Sequence, residues 1–142
     1  LYFASLEETN EAGLIKEAME KGELVDSTIA LRLIERYFED PAHKDGVVAD
    51  GFPRTLQEAH ELKVPIDKVF HISVSDIEVK RRLKERARFD DTPEAIEKRL
   101  QIYREETEPV LEHYRSLGIL EEVDGERTIS EIAADIASRI QR

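Results

Sequence analysis

Two short stretches hold the residues whose types and spacing could do chemistry. The first is Val47-Val48-Ala49-Asp50-Gly51-Phe52-Pro53-Arg54-Thr55. A nearly continuous apolar run delivers an aspartate, then a glycine-proline turn, then an arginine. The run reads as a buried parallel strand, and open α/β sheets bind ligands at the carboxyl ends of such strands. An arginine fixed just after a rigid turn suits a phosphate, because its planar fork can donate two parallel hydrogen bonds. The same residues also suit a strand-to-helix turn carrying a solvated arginine, and local physics leaves both readings open.

The second stretch runs from Lys80 to Arg88. Six basic residues (Lys80, Arg81, Arg82, Lys84, Arg86, Arg88) stand there against one acid, Glu85, a local charge of +5 in a chain of net charge -11. A focused positive patch on an acidic protein suggests a compact polyanion. Arg82 and Arg86 are one helical turn apart and share a face. Arg99 lies a short helical segment further on. The competing reading is a salt-bridged surface helix, and Asp90-Asp91 could hold arginines in place under either reading.

The rest of the composition narrows the classes. The chain has 142 residues, 40 % hydrophobic and 37 % charged, which fits one domain with one core. The acidic balance argues against a nucleic-acid partner. With no cysteine, disulfides, thiolate zinc sites and cysteine nucleophiles are excluded together. No apolar run reaches membrane-spanning length and no signal peptide is visible. The four histidines, His43, His60, His71 and His113, are scattered and read as incidental rather than as a metal cluster. The chain begins at Leu1, so its amino terminus reads as processed, truncated or not fully represented.

Helical and strand patterns alternate along the chain, which predicts an α/β layered fold with parallel strands. A helix is expected over residues 7–21, ended by Gly22, and another over 26–39 with Ile29, Leu33, Ile34, Tyr37 and Phe38 as its apolar stripe. Strands are expected at Gly46–Asp50, Lys68–Val74 and Gly118–Val123. Thr55 with Glu58, Ser75 with Glu78, and Thr128 with Glu131 have the spacing of capping boxes. Thr92-Pro93 opens a helix that Pro109 is expected to kink or end. Ile129, Ile132, Ile136 and Ile140 line a last helix.

These residues resemble a known family. Asp50-Gly51-Phe52-Pro53-Arg54-Thr55 is similar to the signature hexapeptide of the adenylate kinases, which are nucleoside monophosphate kinases. Arg82, Arg86, Arg88-Phe89-Asp90-Asp91 and Lys98-Arg99-Leu100 follow in that family's order and spacing. Tyr103-Arg104-Glu105-Glu106-Thr107-Glu108-Pro109-Val110, Gly22-Glu23-Leu24-Val25 and Val123-Asp124-Gly125 resemble further family segments. The likeness spans Leu1 to Ile140, and the hexapeptide together with five ordered arginines is what makes it specific.

The resemblance implies a three-layer parallel sheet flanked by helices and a reversible transfer of phosphoryl from ATP to AMP, giving two ADP. It implies a transferase of nucleotide biosynthesis in the cytoplasm, a monomer, with no nucleic-acid or membrane partner. It also implies roles by residue. Arg54 and Arg99 would grip the AMP phosphate, with Arg88 reaching across both phosphate groups. Arg82 and Arg86 would neutralise the phosphates of ATP, and Arg86, Arg88 and Arg99 would be the catalytic arginines. Asp50 would hold Mg2+ through water. Val25 and Gly51 would contact AMP through the backbone, Glu58 would face its base, and Arg127 would contact the ATP adenine through its carbonyl. Such roles suit phosphoryl transfer, which needs positioning and charge neutralisation more than a covalent catalyst.

Four departures from the family accompany the likeness. No stretch reads Gly-x-x-x-x-Gly-Lys. The expectation is therefore a single domain over residues 1–142 that is N-terminally incomplete, lacks the first strand and phosphate loop, and turns over little by itself. Phe3 falls where the family places another AMP-binding arginine. Glu58 stands where the family usually has a glutamine; an ionised glutamate can accept from an exocyclic amine but cannot donate to a ring nitrogen. The lid is vestigial, about residues 86–91, with only Ala87 between Arg86 and Arg88, and the monophosphate-binding region covers about residues 1–40. A UMP or CMP kinase, and a non-catalytic nucleotide-binding or scaffold protein of the same fold, are the alternatives.

Overall fold

The computed structural model describes residues 10–43, 45–86 and 92–140. The expected helix over 7–21 is observed as α1, Asn10–Glu20; residues 7–9 lie outside the described residues. Its end is closed by two backbone bonds, from Gly22 N–H to Met19 O at 3.1 Å and from Glu23 N–H to Ala18 O at 2.9 Å. They satisfy carbonyls that the last turn leaves open. Helix α2, Ser27–Phe38, is capped by Asp26, whose carboxylate accepts from the N–H groups of Thr28 and Ile29. Its deepest burial falls on Ala30 and Leu31, while the expected stripe beside them is half-buried and Tyr37 is exposed. A 3-10 turn, Pro41–His43, follows and brings the His43 ring onto that of Tyr37.

After the short helix α3, Leu56–Glu61, the chain enters strand β1, Val69–Ser73. Helix α4, Asp76–Arg86, and helix α5, Pro93–Ile102, lead away from it. A π-helical turn, Tyr103–Thr107, joins α5 to α6, Glu108–Ser116. Strand β2, Leu120–Asp124, and helix α7, Ile129–Ile140, complete the order. Strands β1 and β2 are parallel, in register from Val69 opposite Leu120 to Ser73 opposite Asp124. The two expected strands at 68–74 and 118–123 are therefore present, and helices joined to parallel strands make an α/β fold. Helices α6 and α7 pack against β2, α3 packs on α2 and α6, and α4 packs on α5. The core gathers Ala12, Ile15, Val25, Ala30, Leu31, Ala95, Ile96, Val110, Tyr114 and Val123.

The expected strand at 46–50 is not observed. These residues form no regular element, and Val48 is 86 % exposed. Strand pairing needs a neighbour whose carbonyls and amides match its own, and among the described residues this run has none. Pro109 neither ends nor interrupts the helical path. The chain widens into the π turn just before it, so the Glu108 N–H bonds Tyr103 O. Pro109 then lies in the first turn of α6, where a missing N–H is harmless.

The three capping signatures differ in outcome. Thr55 and Glu58 form the full reciprocal box, as do Thr128 and Glu131. Ser75 forms half of one: its hydroxyl accepts from Glu78 N–H at 3.4 Å. The Glu78 carboxylate turns instead to Arg81 and Arg82, and Ser75 N–H donates to Glu126. Two guanidinium partners outcompete one backbone amide.

Candidate functional site

The turn bearing Arg54 is held from three sides. Gly51 adopts φ +69, a conformation that disfavours any side chain, and the Phe52-Pro53 bond is cis. Arg54 then folds back so that its Nε donates to Gly51 O at 2.7 Å. A Cβ on Gly51 would lie 2.6 Å from Arg54 Nη2, so this contact requires glycine. Below the turn sits Glu58, 3 % exposed. Its Oε2 accepts from Arg54 N–H at 2.6 Å and from Thr55 N–H at 3.3 Å. Its Oε1 accepts from Ser27 Oγ at 3.4 Å, which ties the turn to the start of α2. From the far side, Thr107 Oγ1 donates to Arg54 O at 2.9 Å. The Arg54 backbone is thus clamped while its guanidinium stays exposed.

Helix α5 reaches the turn between α1 and α2, where Val25 is buried. Lys98 pairs with Glu23 at 2.7 Å and holds that carboxyl below its ordinary range. Half-buried Arg99 donates to Met19 O at 3.4 Å. Val25 and Arg99 therefore sit on adjoining elements, and Ser27 links the same turn to Arg54. The sequence-proposed monophosphate residues Val25, Gly51, Arg54, Glu58 and Arg99 belong to one set of connected segments.

Arg82 and Arg127 lie along a second set. Arg82 Nε bonds Glu78 at 2.6 Å and its Nη2 donates to Gly125 O at 2.8 Å. This joins α4 to the turn that follows β2. Gly125 cannot carry a side chain there, because a Cβ would meet Val74 Cγ2 at 2.5 Å and Ser73 O at 2.8 Å. Arg127, two residues on, donates to Asp124 O and to Asp135. The basic run is heavily paired: Lys80 with Glu97, Arg81 with Glu78 and Glu85, Arg82 with Glu78. Arg81 and Arg82 hold the Glu78 carboxyl at about 2, well below its ordinary value. The salt-bridged surface reading therefore describes Lys80 and Arg81, whereas Arg82 also reaches across to another element. Arg86 is exposed at the end of α4 and Asp50 is exposed on the loop before Gly51. Arg88, Phe89, Asp90, Asp91 and Phe3 lie outside the described residues.

One polar cluster has no counterpart in the sequence reading. His71 Nδ1 faces Glu122 Oε2 at 2.7 Å and its Nε2 faces Tyr103 Oη at 2.8 Å. Arg115 joins Glu122 to Glu112. Burial, then Glu108 and Glu122, push the Tyr103 hydroxyl up. This chain ties the first residue of the π turn to the sheet, as Thr107 ties the last to Arg54. Only the register of His71 opposite Glu122 could have signalled it, and that register is a property of the fold.

A model of the adenylate kinase family matches residues 3–119. The chain belongs to the adenylate kinase family. The adenylate kinase of Prochlorococcus marinus strain MIT 9211 is 40 % identical over 137 residues, covering 92 % of this chain and 72 % of that protein. That of Mycobacteroides abscessus is 34 % identical over 150 aligned positions, covering 100 % of this chain and 82 % of its own. That of Mycolicibacterium smegmatis is 38 % identical over 122, covering 76 % and 67 %. This family member is an adenylate kinase-type phosphotransferase, a nucleotide-binding enzyme and a kinase. The UMP or CMP kinase and the non-catalytic scaffold are not favoured. Among the described residues, no helix is long and apolar enough to cross a membrane.

Proposed function

We propose that this phosphotransferase carries the terminal phosphoryl group of ATP to AMP, reversibly, and yields two ADP. The single observation behind the assignment of the acceptor side is the clamped Arg54 turn. Glu58 and Thr107 fix its backbone from opposite sides and leave an exposed guanidinium to meet a phosphate. In this reading Arg54 and Arg99 grip the AMP phosphate, and Val25 and Gly51 offer backbone groups to the nucleotide. Glu58 sits beside the base and holds the turn. Arg88 spans both phosphate groups. Arg82 and Arg86 neutralise the phosphates of ATP, and the carbonyl of Arg127 meets its adenine. Fixed guanidinium groups stabilise charge spread over the transferring oxygens without needing to reorganise.

A magnesium ion fits this donor set. Mg2+ keeps most of its waters and is bound through one or two carboxylates and the substrate's phosphates, and Asp50 supplies such a carboxylate, exposed on its loop. When bound, the ion would neutralise phosphate charge, with Asp50 holding it through water. The enzyme is read as a cytoplasmic monomer without nucleic-acid or membrane partners.

The test is nucleotide binding by titration calorimetry with AMP, UMP and CMP. AMP binding tighter than UMP or CMP, lost on Arg54→Ala, is the expected result. Equal affinity for all three, or AMP binding untouched by Arg54→Ala, would overturn the assignment.

A further inference from the structure

Tyr103 is the residue on which the π turn closes. Its carbonyl accepts the Glu108 N–H across the widened ring, and its hydroxyl lies 2.8 Å from His71 Nε2. Thr107, the last residue of the turn, donates its own hydroxyl to Arg54 O at 2.9 Å. One short segment therefore touches strand β1 at one end and the Arg54 turn at the other. Turns that bond five residues back are rare, and they occur frequently at functional sites.

The sheet end of this segment is firmly held. His71 stands opposite Glu122 across the two strands, and its Nδ1 faces that carboxylate at 2.7 Å. A carboxylate only accepts, so Nδ1 carries the proton, and in a neutral ring Nε2 is then an acceptor for the phenol. Burial, with Glu108 and Glu122 nearby, pushes the Tyr103 hydroxyl up, so it keeps its proton and donates. Arg104 also pairs with Asp76 at the start of α4, but both groups are exposed and such pairs contribute little. Buried Val110 fixes α6 beyond Pro109; ahead of it, the ring closed on Tyr103 sets where Thr107 lies. We infer that Tyr103 is a positioning residue for the acceptor phosphate. Its bond to His71 anchors the π turn to the sheet, and the turn holds Arg54 in place through Thr107. This role rests on the reading that Arg54 meets the AMP phosphate.

Tyr103→Phe keeps the ring and removes only the hydroxyl. In the full 142-residue chain it should weaken AMP about fivefold by calorimetry, the loss of one hydrogen bond. Arg54→Ala should cost more, because it removes the guanidinium and does not merely displace it. Adenosine, which lacks the phosphate, should bind Tyr103→Phe as it binds the wild type. Thr107→Val should match the loss of Tyr103→Phe, and Thr107→Ser should restore AMP. Tyr103→Phe combined with Thr107→Val should lose no more than either alone, as residues on one path do. Without nucleotide, the Arg54 Nε–H resonance, whose acceptor is Gly51 O, should shift in Tyr103→Phe. An unshifted resonance, equal losses of AMP and adenosine, or losses that add in the double variant would each overturn the role. So would unchanged AMP affinity in Tyr103→Phe while Arg54→Ala loses AMP. AMP binding untouched by Arg54→Ala overturns the phosphate reading itself, and this role with it.

Discussion

Glu58 accepts the backbone N–H of Arg54 at 2.6 Å from a position only 3 % exposed. One carboxylate thus does two jobs: it caps α3 and it fixes the residue that presents a guanidinium to solvent. Glu58→Ala would leave the N–H groups of Arg54 and Thr55 without their acceptor. The expected loss is about 2–3 kcal/mol of unfolding free energy, since bonds to a charged group are worth more than neutral ones. Urea denaturation measures it. Glu58→Gln keeps one acceptor oxygen in place and should lose about half as much; an unfolding free energy left unchanged by Glu58→Ala would show that the carboxylate is not what holds the turn.

Arg54→Ala should weaken AMP far more than ATP. Its guanidinium offers a charge-assisted, paired contact worth about 1.5–3 kcal/mol, or roughly ten- to hundredfold in affinity. Arg54→Lys should recover little, because lysine keeps the charge but lacks the planar fork. Comparing AMP and ATP affinities in both variants by calorimetry decides it. A parallel loss of both nucleotides would detach Arg54 from the acceptor side.

Much of this arrangement was legible in the sequence where the signal is local. The Thr55 and Glu58 spacing gave the cap, Thr92-Pro93 gave the start of α5, and the apolar runs around Val69 and Val123 gave both strands. What escaped depended on partners far along the chain. The run at Val47 and Val48 has strand composition, but a strand exists only with a neighbour, and Val48 is exposed. Glu78 had a capping residue's spacing, yet Arg81 and Arg82 on its own helix bind it more strongly. The clamp on Arg54 was half visible: Glu58 is four residues away, whereas Thr107 arrives from a sequence distance of 53. The tie between His71 and Tyr103 likewise needs the sheet and the π turn in place.

Gly51→Ala tests whether the folded-back guanidinium matters. A Cβ at this position faces two penalties, a φ of +69 and an approach of 2.6 Å to Arg54 Nη2. The first costs about 1–2 kcal/mol in any L residue. The second is relieved by moving the flexible end of Arg54. Stability should therefore fall by about the first amount, and AMP affinity should fall in addition because Arg54 is displaced. In the Arg54→Ala background the same substitution should cost stability but no further AMP affinity. An affinity loss of equal size in both backgrounds would show that Gly51 acts independently of Arg54.

The acid limb of stability offers a test of the α4 charge network. Arg81 and Arg82 hold Glu78 at about 2, against an ordinary value of 4.5. A carboxyl depressed in the folded state binds fewer protons there than in the unfolded chain. Its contribution is therefore complete above the ordinary value and is lost as pH falls through 4.5 toward 2. Glu23, Glu121, Glu131 and Asp135 are lowered too, so the wild-type limb sums several groups of the same sign. Glu78→Gln removes one of them. Both pairs lie at the surface and are screened by solvent and salt, so the difference should shrink as salt is added. Urea midpoints measured between neutral pH and pH 2 should fall less steeply in Glu78→Gln than in the wild type, with the two curves converging at the acid end. Curves that stay parallel through this range would show that the guanidinium groups of Arg81 and Arg82 do not hold the Glu78 carboxylate in solution.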